Sequence, residues 1–216
     1  MLAADRISPR PYFDILRTRS GASVTVRLAE PDDAAGLKLY FASLSWQSRY
    51  SRLMGAVSEI SARELYRFSH VEPPRYPLVL TSQCDDGREV ILGEGLCFVH
   101  DDSGRAELAL SVSDDMQRCG IGTQLLASLE RRAIAVGARG IFGETLRSNA
   151  AMLGLARKLG YHFNPVPGDW KLVRFEKQID LPKSVYPGID LPKPVYAGVS
   201  RWSALHLPAQ WASCWG

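Results

Sequence analysis

The sequence predicts an α/β domain in which helices flank a mostly antiparallel sheet, and three observations carry that prediction. Residues 77–82, 90–99 and 106–113 are apolar, strand-like runs parted by the turn signals Asp85-Asp86-Gly87 and Asp101-Asp102-Ser103-Gly104. They read as three consecutive antiparallel strands. Ile121, Leu125, Leu129, Ala133 and Val136 then line one helix face, with Gln124, Ser128, Arg131 and Arg132 largely opposite. Gly137 is placed to end that helix. A short apolar strand at 140–145 leads to the cap Ser148-Asn149, the stripe Met152, Leu155, Ala156 and Leu159, and the stop Gly160.

The other elements follow in order. Residues 1–22 are polar and proline-bearing and read as a loose leader. Over 23–28, Val24, Val26 and Leu28 alternate with Thr25 and Arg27, the period of a strand. Pro31 and Asp32 open a helical stretch whose apolar positions are Leu37, Tyr40, Phe41 and Leu44, and a second helical segment is expected around 58–68. A final strand pair is expected over 161–163 and 170–175. The domain therefore spans 23–176. From 177 to 216 the character changes: IDLPKSVYPG at 179–188 recurs as IDLPKPVYAG at 189–198, differing at two of ten positions. Two short copies are too few for a solenoid. Proline and glycine favour an extended tail, either a tolerated duplication or a docking peptide helped by Trp202, Trp211 and Trp215.

Composition narrows the function. A chain of 216 residues, 46% hydrophobic and 23% charged, fits one domain with appendages. A net charge of +3 demands no polyanion, so no nucleic-acid partner is expected. Cys84, Cys97, Cys119 and Cys214 lie far apart without CxxC spacing, and the four histidines do not cluster with them; no metal is implied, and reduced thiols are expected. The first residues carry prolines and charges where a signal peptide needs an apolar stretch, and no apolar run approaches the ~20 residues that span a bilayer. A cytoplasmic protein with no membrane partner is the expectation.

The chemistry lies in Gln117-Arg118-Cys119-Gly120-Ile121-Gly122, a tight turn between a strand and an amphipathic helix. Gly120 and Gly122 remove side chains where backbone N–H groups must approach a ligand. The helix start leaves N–H groups unpaired and carries partial positive charge, so the turn reads as a pyrophosphate site to which Arg118 adds a cation. It is not a dinucleotide fingerprint, because Leu125 stands where the third glycine belongs. Nor is it a phosphate loop, because Thr123 follows Gly122 with no lysine between.

The run from Ala106 to Phe163, with Gln117, Gly120 and Gly122 in the coenzyme signature, then Asn149 and Lys158-Leu159-Gly160-Tyr161, resembles the core of the GNAT superfamily of acyl-CoA N-acyltransferases. The resemblance covers roughly 23–176. It implies a GNAT fold: a central mixed, mostly antiparallel sheet flanked by helices, a single domain with an irregular C-terminal tail. It also implies acetyl-CoA as co-substrate, with no metal. Backbone groups at Leu110 and Val112 would hold pantetheine, and those near Val112 would face the developing oxyanion. Backbone N–H groups of Gln117, Arg118, Cys119, Gly120, Ile121, Gly122 and Thr123 would hold the pyrophosphate. Asn149 would contact the coenzyme arm, and it also suits an N-cap.

An amine must lose a proton before it attacks a thioester, which for a lysine at pH 7 costs about 4.6 kcal/mol. Glu107 is the candidate general base: it shares a strand face with the small Ala109 and Ser111, and Ala106-Glu107 resembles bacterial protein-lysine acetyltransferases. A solvated glutamate on a half-exposed strand is the plain alternative. Relatives often supply a tyrosine acid at the position of Ala156, which cannot serve. The segment 43–53, with Ser48, Tyr50 and Arg52, is also similar to the protein-lysine acetyltransferases, or else packs and solvates a helix. The expected acceptor is therefore a primary amine, a protein lysine or a small molecule, and a homodimer is a further expected partnership. A non-catalytic acyl-CoA sensor is the alternative from another class.

Overall fold

The computed structural model describes residues 13–19, 21–84 and 87–179. Residues 180–198 of the two ten-residue repeats, Trp202, Trp211, Trp215 and Cys214 lie outside them.

Among the described residues, eight strands form one sheet: β1 (Phe13–Arg17), β2 (Ser23–Leu28), β3 (Arg75–Gln83), β4 (Glu89–His100), β5 (Arg105–Val112), β6 (Gly140–Leu146), β7 (His162–Val166) and β8 (Asp169–Gln178). Their order is β1-β2-β3-β4-β5-β6-β8-β7. Every neighbouring pair is antiparallel except β5 and β6, which run parallel because the helix α4 (Ile121–Ala135) crosses between them. The expected mixed, mostly antiparallel sheet is what forms, and the three central strands follow one another as the turn signals require.

Two apolar layers sandwich the sheet. On one face Leu78, Leu80, Cys97, Leu108 and Val112 meet Ile121, Leu125, Leu126 and Leu129 of α4, and Ala156 of α5 (Ala150–Lys158). On the other, Val79 meets Leu37, Tyr40 and Phe41 of α1 (Ala34–Ser43), Leu53 of α2 (Trp46–Leu53), and Leu65 and Phe68 of α3 (Ala62–Ser69). The helix stops fall where glycine permits them: Gly137 and Gly160 follow the last turns of α4 and α5 with φ of +82° and +78°.

Two elements depart from the sequence reading. The leader is not loose throughout, because Phe13–Arg17 pairs antiparallel with β2 along its whole length. It is held from outside itself: Gln124 of α4 accepts from the Arg17 N–H and donates to the Arg17 carbonyl, while Asp14 accepts from Ser128 and Arg131. In addition, α2 is a separate helix between the two that were expected. It is short and polar, so its periodicity is weak, but Ser45 caps it by accepting from the Ser48 N–H, and Met54 ends it at φ +53°.

The feature that positions the site is a parting of strands. β5 pairs with β6 only over Arg105–Glu107 against Gly140–Phe142. Beyond that, β5 stays with β4 up to Val112 and β6 stays with β8 up to Leu146, so the two halves of the sheet diverge from Leu108 onward. Gly143 sits at the fork. A Cβ there would lie 2.6 Å from the Leu108 carbonyl oxygen and 2.3 Å from Phe175 Cζ, both in the core. Gly143→Ala is therefore expected to cost about 1–3 kcal/mol or more in stability, read as a lowered midpoint in urea unfolding.

Candidate active site

The gap between β5 and β6 has free backbone N–H groups on its β5 edge, while the Val112 carbonyl accepts from Gln117. The Ser113 N–H donates to the Leu92 carbonyl, so by strand alternation the polar groups of Leu110 and Val112 point away from β4, into the gap. The cleft there is small and open, about 220 Å³, lined by Leu108, Ala109 and Leu110 of β5, Glu144 of β6, Met152 of α5, Phe175 of β8 and Arg52 of α2.

At the mouth of the gap lies the glycine turn. Arg118 and Gly120 adopt φ of +59° and +86°, which folds 117–120 back before α4 begins at Ile121. No side chain caps that helix, so the N–H groups of Ile121, Gly122 and Thr123 have no partner within it. The Cys119 carbonyl accepts from the Arg19 N–H, which docks the end of β1 on the turn. The Gln117 side chain braces the loop from behind, donating to Ser48, Asp114 and the Val112 carbonyl. Asp114 also accepts from the Ser45 N–H and the hydroxyls of Ser45 and Ser48. Burial pushes its carboxyl up, but those donors outweigh it and hold Asp114 below the usual carboxylate range. Asn149 caps α5 by accepting from the Met152 N–H and donates to Thr145. A gap edged by free backbone amides and ending at an unpaired helix start can take an extended ligand that terminates in phosphate.

Beside the gap, on the α1–α3 face of the sheet, three carboxylates are buried: Glu94, Glu107 and Glu144. Their surroundings differ. Glu94 is gripped by Arg52, whose Nε and Nη2 donate at 2.6 and 2.9 Å, and accepts from Ser111 at 2.6 Å. Ser111 is also 2.8 Å from the Tyr40 hydroxyl, and burial holds the Tyr40 phenol well above its ordinary value. Glu144 is paired with Arg174 at 2.6 Å. Glu107 has no arginine; its hydrogen-bond partner is His100 Nε2 at 2.9 Å. Burial raises the Glu107 carboxyl above the usual range, against the downward pull of His100.

The structure thus brings together Glu107, Leu110, Val112 and the 117–123 turn around one gap, and Asn149 stands at the start of α5. Sequence reasoning missed Glu94 and His100. The Ser48, Tyr50 and Arg52 cluster does not act as a unit: Ser48 anchors the loop at Asp114, Tyr50 stacks on Trp46 at 5.1 Å, and Arg52 neutralises Glu94. Among the described residues Cys84, Cys97 and Cys119 are free, no group of metal-binding side chains occurs, and no helix is long and apolar enough to cross a membrane.

A sheet parted beside a glycine turn, with a βαβ crossover between the parted strands, offers one site for an extended ligand that ends in phosphate. Residues 41–161 match the acetyltransferase (GNAT) family, and the chain belongs to that family. It is an acyl-CoA-dependent N-acyltransferase. The fold is similar to that of the GNAT domain of S. lividans PAT, with a TM-score of 0.72 and 24% identity over 80% of this chain and 99% of that one. It is also similar to a ribosomal-protein-S5-alanine acetyltransferase from Vibrio fischeri (TM-score 0.57, 14% identity, 73% and 93% covered). A third likeness is to RimL, a ribosomal L7/L12 α-N-protein acetyltransferase in complex with coenzyme A (TM-score 0.59, 15% identity, 77% and 99% covered).

Proposed function

We propose that this enzyme moves the acetyl group of acetyl-CoA to a primary amine, a protein lysine, by direct attack on the thioester with Glu107 as general base. The observation that carries the proposal is the Glu107 carboxylate. It is buried at the last paired residue of β5, where the gap opens, and it is the member of the three-carboxylate cluster that no arginine neutralises. A base must be free to accept a proton, and Glu94 and Glu144 are each committed to a permanent cation. A carboxyl lifted toward neutrality by burial is also better matched to proton transfer than an ordinary one.

The coenzyme would lie in the gap, its pantetheine against the backbone of Leu110 and Val112 and its pyrophosphate on the N–H groups of 117–123. Asn149, which caps α5, would also contact the coenzyme arm. The turn's geometry supports the phosphate assignment, since Gly120 at φ +86° is a conformation that costs other residues about 1–2 kcal/mol. Gly120→Ala is expected to weaken acetyl-CoA binding by roughly tenfold in calorimetry, with a small loss of thermal stability.

A lysine acceptor is favoured by the shape of the cleft. The gap between β5 and β6 is open to solvent rather than closed over, so a lysine side chain can reach it from a protein surface. The test is kcat/KM with lysine peptides against polyamines and free amino acids. Peptides should lead by tenfold or more; a small amine that outruns every peptide would overturn the lysine assignment.

A further inference from the structure

Glu107 has to be an ionised carboxylate when the acceptor arrives, and its burial opposes that. The charged groups around it come from three strands: Arg105 of β5, Glu144 of β6, and Arg174 and Glu176 of β8. They are already paired with one another, Arg105 with Glu176 and Arg174 with Glu144. What faces the Glu107 carboxylate is His100, on the last position of β4, directly across from Arg105.

His100 is held for this contact. Its ring lies edge-on to Phe98 at 4.9 Å and tilted against Phe142 at 5.4 Å, so two aromatic side chains flanking Glu107 fix its plane. Phe98 and Phe142 are the cross-strand neighbours of Glu107 on either side, so the histidine is clamped directly over the carboxylate. An ionised carboxylate can only accept, so Nε2 carries the hydrogen and donates it. The imidazole is one-third exposed, and its Nε2 faces the buried Glu107 oxygen at 2.9 Å.

Resting on the assignment of Glu107 as base, we infer that His100 is a positioning residue of the reaction: its Nε2–H holds the Glu107 carboxylate in place and keeps it ionised in the working pH range. In the step it supports, one N–H bond of the acceptor's ammonium breaks and its proton passes to Glu107, the freed nitrogen lone pair attacks the thioester carbonyl, the C–S electrons leave with sulfur, and the second proton of that nitrogen goes to the departing thiolate. His100 gains and loses no proton in that step. A hydrogen bond to the charged form lowers a carboxyl's pKa, so taking the donor away makes Glu107 protonate at higher pH.

The test is the pH profile of kcat/KM on one lysine peptide for wild type, His100→Phe and His100→Gln. Phenylalanine keeps the aromatic packing without a donor, and glutamine returns an N–H near the position of Nε2. With His100→Phe the acid limb should move up by about a pH unit or more, lowering activity about tenfold at pH values below the wild-type limb, with recovery at higher pH; His100→Gln should keep the wild-type limb. A His100→Phe profile that overlays wild type would overturn the inference, as would equal, pH-independent losses in both variants. Glu107→Gln run alongside separates the two readings. If it is inactive while His100→Phe is unchanged, the histidine assignment alone fails; if it keeps the acid limb, the base assignment fails.

Discussion

Glu107→Gln is expected to lower kcat for acetyl transfer by about 10²–10⁴-fold while leaving acetyl-CoA binding within a factor of about two. The substitution keeps the shape of the side chain and removes the lone pair that takes the proton. The coenzyme's proposed contacts lie elsewhere, on the Leu110 and Val112 backbone and the glycine turn, so binding measured by calorimetry should persist. Stability adds a second readout. Burial raises the Glu107 carboxyl in the folded protein, so the fold carries its neutral form more easily than its charged one. The stabilisation from this group is present at acidic pH and lost as pH rises through the folded-state value. Glutamine stays neutral throughout, and at pH 8 the variant should melt no lower than wild type. A catalytically dead protein that is equally or more stable is the signature of a group kept for chemistry. An inactive variant that also melts well below wild type would instead make Glu107 a structural residue.

The reverse outcome is expected at Arg52. Its guanidinium is 2% exposed and holds Glu94, itself 1% exposed, through two hydrogen bonds, while its cationic carbon lies 5.1 Å over the Phe68 ring. Arg52→Ala leaves a carboxylate sealed in the sheet with only Ser111 to answer it. Removing one partner of such a pair costs about 3–5 kcal/mol, which at roughly 2–4 °C per kcal/mol lowers the melting temperature by about 10 °C. The double variant Arg52→Met with Glu94→Leu removes both charges and should recover most of that loss. Denaturant unfolding of the three proteins decides it. A single variant within about 1 kcal/mol of wild type would mean that the pair is not the clamp between α2 and the sheet.

These two residues also mark how far the sequence could be read. The glycine turn was legible because its cause is local: Gly120 must take a positive φ and an amphipathic helix follows at once. Glu107 was legible as a glutamate on a strand face with small neighbours. Glu94 was not, although it lies opposite Ser111 on the same face. Its role depends on Arg52, 42 positions earlier on a helix too short and polar to declare itself. The contact between His100 and Glu107 hid in a tight β4–β5 turn that pairs residues seven apart, and alternation alone does not say which faces which. The fork between β5 and β6 is a property of pairing, set by Gly143 against Leu108 and by the commitment of each strand to its outer neighbour. β1 was hidden for a similar reason: its strand buries Leu16 but leaves Ile15 exposed, and it is held by Gln124, Ser128 and Arg131 rather than by its own pattern.

The central claim is direct transfer from the thioester to an amine that Glu107 has deprotonated. It is tested most directly by mixing the protein with one equivalent of acetyl-CoA, with and without a lysine peptide, and following free thiol together with the masses of peptide and protein. Thiol should appear only when the peptide is present, one for each acetyl group found on the lysine, with no acetyl on the protein's Cys119. Thiol released without acceptor and an acetylated protein, or tight coenzyme binding with no thiol from any amine, would contradict it.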